Sequence, residues 1–212
     1  DSRTRQDSVE LRIVPSGATT LPDRREREFY FDQRSAGLQA NARKTFETGG
    51  VAHTLAYGID VERVETRQKR DGRRIFLDTG AVTHVMSPDT FPVRDFPISD
   101  TTKASLYLQD EIAFADGAFR LVPGVRIDHY TLEPEVDAIF REDNPTTEVA
   151  DLSETSVSPK LGFVWRFADA WSLYGGYARG FRAPPYNDVN IGFTNFQFGY
   201  TAIPNPDLKS ET

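Results

Sequence analysis

The chain has 212 residues, of which 38% are hydrophobic and 27% charged, and its formal net charge is −7. This length allows one domain or two, and the acidic balance argues against a nucleic-acid partner, which would need a basic stripe. The absence of cysteine excludes disulfides, thiolate metal sites and cysteine catalysis. No run of about 18 apolar residues occurs, which excludes a membrane-spanning helix. The polar start DSRTRQDSVE is not a secretory signal, so an exported protein would carry this chain within a longer precursor.

A loop or strand end is predicted over 1–33. The stretch VELRIV at 9–14 alternates and is interpreted as a strand end or a loop hairpin, whereas Pro, Gly and charged residues over 15–27 indicate a loop. The first hairpin follows, with strands over 34–46 and 51–64 joined by the turn ETGG. Side chains alternate between the two faces of a strand, and here one face is apolar while the other is polar. The apolar face carries Ala36, Leu38, Ala40, Ala42, His53, Leu55, Tyr57, Ile59 and Val61.

Two further hairpins repeat this pattern, with short turns at 115–117 and 168–170. Their strands are predicted over 102–114, 118–130, 156–167 and 171–181. Each segment has about 10–13 residues, enough for a tilted strand to cross a bilayer. One residue of each strand is expected to face lipid and to be exposed in the isolated chain: Leu38, Leu55, Leu106, Leu121, Phe163 and Leu173. Charged residues of the opposite rows are expected to face inward: Arg43, Asp60, Glu62, Lys160 and Arg166.

The connections differ in length between the two ends of these strands. Short turns lie at one end, whereas long polar connections over 65–101, 131–155 and 182–212 lie at the other. Aromatic residues gather beside the short turns, as they do at a membrane interface: Phe46, Phe114, Phe119, Phe167 and Trp171. This layout is typical of a transmembrane β-barrel. The sequence therefore predicts an all-β fold, an antiparallel meander that forms part of a barrel wall, and a function in transport.

Charge is unevenly distributed among the long connections. The stretch TRQKRDGRR at 66–74 holds five basic residues and one acid, whereas 131–155 holds eight acids and a single arginine. Solvated loop tips are one interpretation of this pattern, and steering of a charged ligand by the resulting fields is the other.

Two motifs lie in the C-terminal third, FRAP at 181–184 and NPDL at 205–208. Their residues are Phe181, Arg182, Ala183, Pro184, Asn205, Pro206, Asp207 and Leu208. They resemble the late-barrel signature of TonB-dependent outer-membrane receptors, specifically the haemoglobin and haem branch (the haemoglobin/transferrin/lactoferrin receptor family). In that branch Phe-Arg-Ala-Pro precedes Asn-Pro-Asn-Leu, so Asp207 departs from the pattern. The stretches HTLAYGIDVER, LYLQDEI, LVPGVRIDHY and SPKLGFVWRF are similar to the same family.

The resemblance implies a barrel of about 22 strands around a plug. The chain, as one domain over 1–212, would supply about six of those strands and lack the plug domain. It would lie in the bacterial outer membrane. Its expected partners are outer-membrane lipid, its own plug domain, the TonB energy-coupling complex and haem or a haem-carrier protein. Haem would be transported cargo and not an intrinsic cofactor.

Haem receptors of this branch commonly carry a histidine between the two motifs, and the corresponding position here falls on or near Asn195, in a stretch without histidine. Histidine and tyrosine are usual axial ligands of haem iron, whereas asparagine is a poor ligand. Tyr186 and Tyr200 remain candidate oxygen ligands, and His84, with Met86 two residues on, is the best remaining histidine. Ordinary loop packing is the alternative for each, and no metal ligand is certain. His53 is expected at the membrane interface and His129 at the outer rim.

No GxSxG, HExxH or P-loop motif occurs, so no enzymatic activity is expected. The leading interpretation is a receptor for uptake of haem iron, captured from haemoglobin or another host haem protein. A receptor for a ferric siderophore or another metal chelate is the first alternative. A soluble β-sandwich binding module is the second, although such domains have shorter strands and more frequent turns.

Overall fold

The computed structural model describes residues 1–12, 22–195, 199–205 and 207–211. The strands, in chain order, are β1 (Ser2–Arg12), β2 (Asp23–Thr48), β3 (Val51–Phe76), β4 (Val82–Thr83), β5 (Val85–Met86), β6 (Asp89–Thr90), β7 (Ile98–Phe114), β8 (Phe119–Glu135), β9 (Leu152–Ala168), β10 (Trp171–Ala178), β11 (Phe193–Asn195) and β12 (Tyr200–Ala202). The helical elements are a 3-10 turn (Ala115–Gly117), α1 (Ala138–Asp143) and α2 (Tyr186–Val189). None of the helices described is long and apolar enough to cross a membrane.

The long strands form one antiparallel sheet in the order β1-β2-β3-β7-β8-β9-β10, and β4 adds a short pairing beside the end of β3. Each long strand therefore pairs with the long strand that follows it in the chain, which confirms the predicted meander, and β1 adds a seventh long strand to the six predicted. Within the described residues β1 and β10 are the edges of the sheet and do not pair with each other. The alternative of a soluble sandwich is wrong, because the described chain forms no second large sheet that could cover this one.

The turn between β2 and β3 fixes the register of the longest hairpin. Gly49 and Gly50 have φ angles of +60° and +78°, which glycine adopts without a Cβ penalty. Two consecutive positive φ angles form the kind of two-residue turn whose twist matches that of the flanking strands. Thr48 pairs with Val51 directly beside it, and the pairing continues without a break to Asp23 and Phe76.

This register separates the sheet into an apolar face and a polar face. An apolar row crosses five strands through Ala40, Ile59, Leu106, Ile127 and Val157. The neighbouring row on the polar face consists of Gln39, Asp60, Ser105, Asp128 and Ser156. The end of the sheet with the long connections is called the loop end below, and the opposite end is called the turn end.

All six residues predicted to face lipid lie on the apolar face, but they are not equally exposed. Leu38, Leu106 and Leu173 are 64%, 53% and 51% exposed. The other three, Leu55, Leu121 and Phe163, are half-buried, so the prediction of exposure is wrong for them. Neighbours on the same face cover them: Leu121 lies opposite Phe163, and the ring of Phe163 lies over Gly175, where an added Cβ would be 2.7 Å from it.

The prediction of a loop or strand end over 1–33 is wrong for most of that range. Strand β1 pairs with β2 from Ser2↔Gln33 to Arg12↔Asp23, and residues 13–21 lie outside the described residues. Charged side chains connect the two strands, as in the pair Arg5–Glu28 at 2.8 Å. Strands with water on both sides need no apolar row, so the period-two hydrophobic signal is missing here. The long connections are also shorter than predicted, because β3, β7, β8 and β9 all extend into them.

The buried hydrophobic residues lie at the loop end. One cluster is formed by Met86, Phe91 and Val93 within the connection that follows β3. A second contains Tyr130, Leu132 and Val189. The centre of the sheet has no buried cluster among the described residues, so the sheet depends on its hydrogen-bond ladder and its surroundings, while the loop end has a small core of its own.

Candidate ligand-capture site at the loop end

The FRAP segment lies across the polar face of the sheet. Phe181, Ala183 and Tyr186 pack against the buried side chains of Tyr130 and Leu132. Both of these residues belong to β8, where they lie opposite Lys103 and Thr101 of β7 on the polar face. The segment from 181 to 189 is therefore fixed to the wall by apolar contacts.

The two segments that carry the family motifs are also joined to each other. The backbone N–H of Arg182 donates to the carbonyl of Glu211, and the N–H of Glu211 donates to the carbonyl of Arg182, both at 3.0 Å. The N–H of Asn205 reaches the carbonyl of Asp188 at 3.4 Å. Pro184 is buried and Leu208 is half-buried, whereas Arg182, Asn205 and Asp207 are exposed, and Pro206 lies outside the described residues. The motifs therefore have a structural role: they hold the C-terminal segment over the sheet.

A cavity of about 480 Å³ lies between the FRAP segment and the polar face. Its wall includes Asp60, Glu62, Lys103 and Arg126. Arg126 donates from Nε to Asp128 Oδ1 and from Nη2 to Ser105 Oγ, both at 2.7 Å. The residues predicted to face inward therefore lie on the polar face. One of them, Lys160, already donates to Gln109 within the sheet.

A second cavity of about 470 Å³, here called the aromatic cleft, is lined by Phe29, Phe31, Lys69, Arg70 and Phe193. Its two β2 phenylalanines come from the polar face of the strand, where alternation brings both to the same side. The guanidinium carbon of Arg70 lies 5.8 Å from the ring centroid of Phe193. The sequence does not predict this cleft, because the pattern of its β2 wall indicates a loop. The alternating FYF at 29–31 was the available signal.

Arg70 links the cleft to two loops. Its guanidinium donates to both carboxylate oxygens of Asp95, at 2.7 and 2.9 Å, and to Asp89 at 3.0 Å. The same two carboxylates face Asp143 at the end of α1. Although Asp143 is exposed to solvent, partial desolvation by the surrounding loops, with the charges of Asp95 and Asp89 adding to it, raises its pKa to about 6. Interactions between charged side chains thus link the separate connections at the loop end.

His84 is exposed and has a defined orientation. Its Nδ1 lies 2.8 Å from the carbonyl oxygen of Gly72, and because a carbonyl only accepts, that nitrogen carries the proton. The Nε2 lone pair of the neutral ring is then directed elsewhere, which is the arrangement found in metal-binding histidines. Gly72 lies two residues from Arg70 on the same face of β3. Met86, in contrast, is only 4% exposed, within the cluster with Phe91 and Val93.

Tyr186 is held inside the assembly. Its hydroxyl accepts a hydrogen bond from Gln68 Nε2 at 2.7 Å, and its ring meets Phe96 edge-on with centroids 6.2 Å apart. Burial raises the pKa of this phenol, with the Gln68 hydrogen bond opposing the shift. Formation of a phenolate, the form that binds iron, is therefore disfavoured.

Tyr200 and Asn195 occupy paired positions in the hairpin of β11 and β12. Tyr200 is 52% exposed, and its ring lies 6.1 Å from that of Phe193, which lines the aromatic cleft. The structure therefore brings Tyr200 next to the cleft. Nothing is described of the Asn195 side chain.

The remaining two histidines lie on the apolar face of the sheet, away from the cleft. His53 Nδ1 is 2.7 Å from Asp110 Oδ2, and its ring stacks on Phe46 near the turn end. His129 Nδ1 is 2.9 Å from Thr155 Oγ1 near the loop end. Among the residues that the structure describes, no group of three or more His, Cys, Asp or Glu side chains could hold a metal ion.

An antiparallel meander with one apolar and one polar face, tight turns at one end and long structured loops at the other, defines the wall of a transmembrane β-barrel. The chain belongs to the TonB-dependent receptor family, because the family model for the TonB dependent receptor-like β-barrel matches residues 2–212. The family resemblance stated from the sequence is thereby confirmed, and the protein is placed in the bacterial outer membrane. The family consists of receptors and transporters.

This chain is similar to the following three proteins. The hemin receptor of Yersinia pestis is 31% identical over 190 residues, which make up 85% of this chain and 23% of that protein. The iron-regulated outer membrane virulence protein of Vibrio cholerae is 32% identical over 115 residues, or 54% of this chain and 14% of that protein. The crystal structure of the ferric preacinetobactin receptor of Acinetobacter baumannii covers 95% of this chain and 30% of its own, with a TM-score of 0.48 and 17% identity. The chain spans less than a quarter of the two curated relatives.

Proposed function

We propose that the protein takes part in TonB-dependent uptake of haem iron across the outer membrane. The aromatic cleft is the observation that carries this proposal, because it combines three phenylalanines with Arg70, and His84 is hydrogen-bonded to the backbone of Gly72, two residues along β3 from Arg70. The likeness to the Yersinia pestis hemin receptor over 85% of the chain supports the same cargo. The FRAP and NPDL motifs agree with it.

The cleft suits the chemistry of haem. A flat apolar macrocycle packs well on aromatic rings, and Phe29, Phe31 and Phe193 provide such surfaces. Haem also carries two carboxylates, which pair strongly with Arg or Lys. Arg70 is the cation of the cleft, and carboxylates of the cargo would compete with Asp89 and Asp95 for it.

His84 is proposed as the iron ligand, through Nε2. Tyr200 is the second candidate, because it is exposed and lies beside Phe193. Tyr186 is a weaker candidate, since its phenol is half-buried and hydrogen-bonded to Gln68. Asn195 is paired with Tyr200 in the β11–β12 hairpin, but asparagine is a poor ligand for iron.

Partners follow from the same proposal. The cargo arrives as free haem or on a haem-carrier protein such as haemoglobin, held by the loop end. The polar face receives the receptor's own plug domain, for which Asp60, Glu62 and Arg43 offer charged contacts. The TonB energy-coupling complex drives release of the cargo from the receptor.

The test is a haemin titration of the full-length receptor in detergent, followed by the Soret band. Binding should be saturable and at least about tenfold weaker in His84→Ala, since one axial bond is lost. His129→Ala is the matched control, because this histidine lies on the apolar face and bonds Thr155. Tyr200→Phe separates a tyrosine ligand from a stacking contact, because the ring remains.

The siderophore alternative gives the opposite set of results. A receptor for a ferric siderophore would show no saturable haemin or haemoglobin binding, and cells carrying it would grow on the ferric siderophore as sole iron source. That pair of results would overturn the haem proposal while leaving the family assignment intact. Unchanged haemin affinity in both His84→Ala and Tyr200→Phe would reject only the ligand assignment.

A further inference from the structure

The space beneath the connection after β3 is set by one glycine. Gly72 is buried on the polar face of β3, two residues along the strand from Arg70. A Cβ atom at this position would lie 2.6 Å from Met86 Cε, 3.0 Å from the backbone oxygen of Glu26 and 3.1 Å from Phe91 Cδ2. The φ angle of Gly72 is not positive, so the backbone conformation does not itself require glycine. Glycine instead leaves the room that Met86 and Phe91 occupy.

Two binding groups of the cleft depend on where Met86 lies. Met86 pairs with Asp89 in the small β5–β6 sheet, and Asp89 accepts a hydrogen bond from Arg70 at 3.0 Å. The carbonyl of His84, two residues before Met86, accepts a hydrogen bond from the N–H of Phe91 at 3.0 Å. A shift of Met86 away from β3 would therefore move the partner of Arg70 and the candidate iron ligand together.

We propose that Gly72 is a positioning residue for the aromatic cleft. Because it has no side chain, the connection after β3 docks against the strand, and this docking directs His84 and Arg70 toward the cargo. The Gly72 carbonyl also accepts the hydrogen bond that orients the His84 ring, at 2.8 Å. The role toward the cargo rests on the proposed function, whereas the docking follows from the contacts of Gly72 alone.

The test compares three variants of the full-length receptor in detergent. Gly72→Ala adds a methyl group where Met86 and Phe91 already lie. Gly72→Ala/Met86→Val is the compensating variant, because the shorter valine side chain frees about the volume that the new methyl group takes. Gly162→Ala is the matched control on the polar face of β9, where an added Cβ would lie 3.8 Å from Val122, in ordinary contact.

Haemin titrations followed by the Soret band measure the positioning role. Gly72→Ala should bind haemin about fivefold or more weakly, since overpacking a filled site displaces its neighbours. The Soret band of the bound haem should also shift toward the position seen for His84→Ala, which a general loss of stability would not produce. The compensating variant should recover most of the affinity and the wild-type band. Gly162→Ala should match the wild type in both.

Hydrogen exchange measures the docking of the connection without any cargo. The N–H groups of Phe91 and Val93 donate to the carbonyls of His84 and Arg70. Both amides should exchange faster in Gly72→Ala than in the wild type. In the compensating variant they should exchange near the wild-type rate.

Two results would overturn the proposal. One is a wild-type Soret band and affinity in Gly72→Ala, and the other is an equal loss in the compensating variant. A wild-type receptor that does not bind haemin would instead reject the proposed function. Hydrogen exchange alone would then decide whether Gly72 governs docking, and unchanged exchange in Gly72→Ala would reject that as well.

A second variant covers the case in which Gly72→Ala does not fold. Met86→Ala removes the same contact from the other side, so it should give the faster exchange and the shifted Soret band. Wild-type exchange and a wild-type band in Met86→Ala would contradict the proposed role of Gly72.

Discussion

Strands β2 and β3 each run for 26 residues, and their turn-end and loop-end halves have different surroundings. The turn-end half alternates apolar with polar side chains, as in the neighbours Ala40 and Gln39. The loop-end half alternates charges, and its side chains are connected across strands, as in Arg5–Glu28. One continuous hydrogen-bond ladder supports both halves. The difference shows that hydrophobic alternation reports the solvent on each face of a strand and not the strand itself.

The largest effect is expected from the small core at the loop end. Leu132 is fully buried, so Leu132→Ala should weaken the docking of the 181–189 segment by about 2–5 kcal/mol. Hydrogen exchange of the Val189 and Asn190 amides measures this directly, because both donate within that segment. Leu106→Ala on the apolar face is the comparison. Equal loss of protection in both variants would show that the loop end has no core of its own.

The second-largest effect is expected from a comparison of two arginine substitutions on the same face of the sheet, one in contact with lipid and one in water. Leu108→Arg lies in the apolar band and should cost about 2–4 kcal/mol in folding titrations of the full-length receptor in lipid vesicles. Val9→Arg introduces the same group at an exposed site of β1, where surface substitutions stay within about 0.5 kcal/mol. A similar cost for the two changes would remove the distinction between the halves of the sheet.

The loop end should respond to pH through Asp143. Its folded pKa of about 6 lies above its ordinary value of 3.8. Ionisation of Asp143 therefore destabilises the docked position of α1. Docking is therefore strongest near pH 4, weakens as the pH rises to about 6, and changes little above. Asp143→Asn should abolish this trend in the exchange protection of the Arg141 and Asn144 amides, corrected for intrinsic rates. A trend that persists in the variant would assign it to another group.

The smallest effect is expected for ion pairs on the water-exposed half. Arg5→Gln removes contacts with Asp7 and Glu28, but exposed pairs contribute little and are screened by salt. The midpoint of denaturation should shift slightly at low salt and not measurably in high salt. A large shift that salt does not reduce would mean that these pairs direct the pairing of β1 with β2.

The sequence was sufficient for the turn-end half of the sheet. Alternation from Leu38 to Phe46 and from His53 to Val61, with the ETGG turn, predicted both strands and their lipid-facing rows. Register then follows, since a slip by one residue would turn the apolar row toward the other face. The loop-end half has no such signal, so the sequence predicts only a loop or strand end for β1 and the start of β2.

The candidate site was only partly predictable. Residue type alone indicates His84 as a candidate. The hydrogen bond to Gly72 that orients its ring forms because the connection after β3 folds back onto that strand. Phe193 and Arg70 are distant in sequence and meet only because two connections fold over the polar face. Contacts of that kind depend on tertiary packing, which local patterns do not encode.

The separation of the two faces is the central claim, and spin labels on adjacent residues test it most directly. Leu106→Cys and Ser105→Cys lie next to each other in β7 but on opposite faces. In the full-length receptor in lipid vesicles, power saturation with oxygen should report lipid contact at 106, and a water-soluble nickel complex should report none there. Position 105 should show much lower oxygen contact. Equal oxygen contact at both positions would contradict the account.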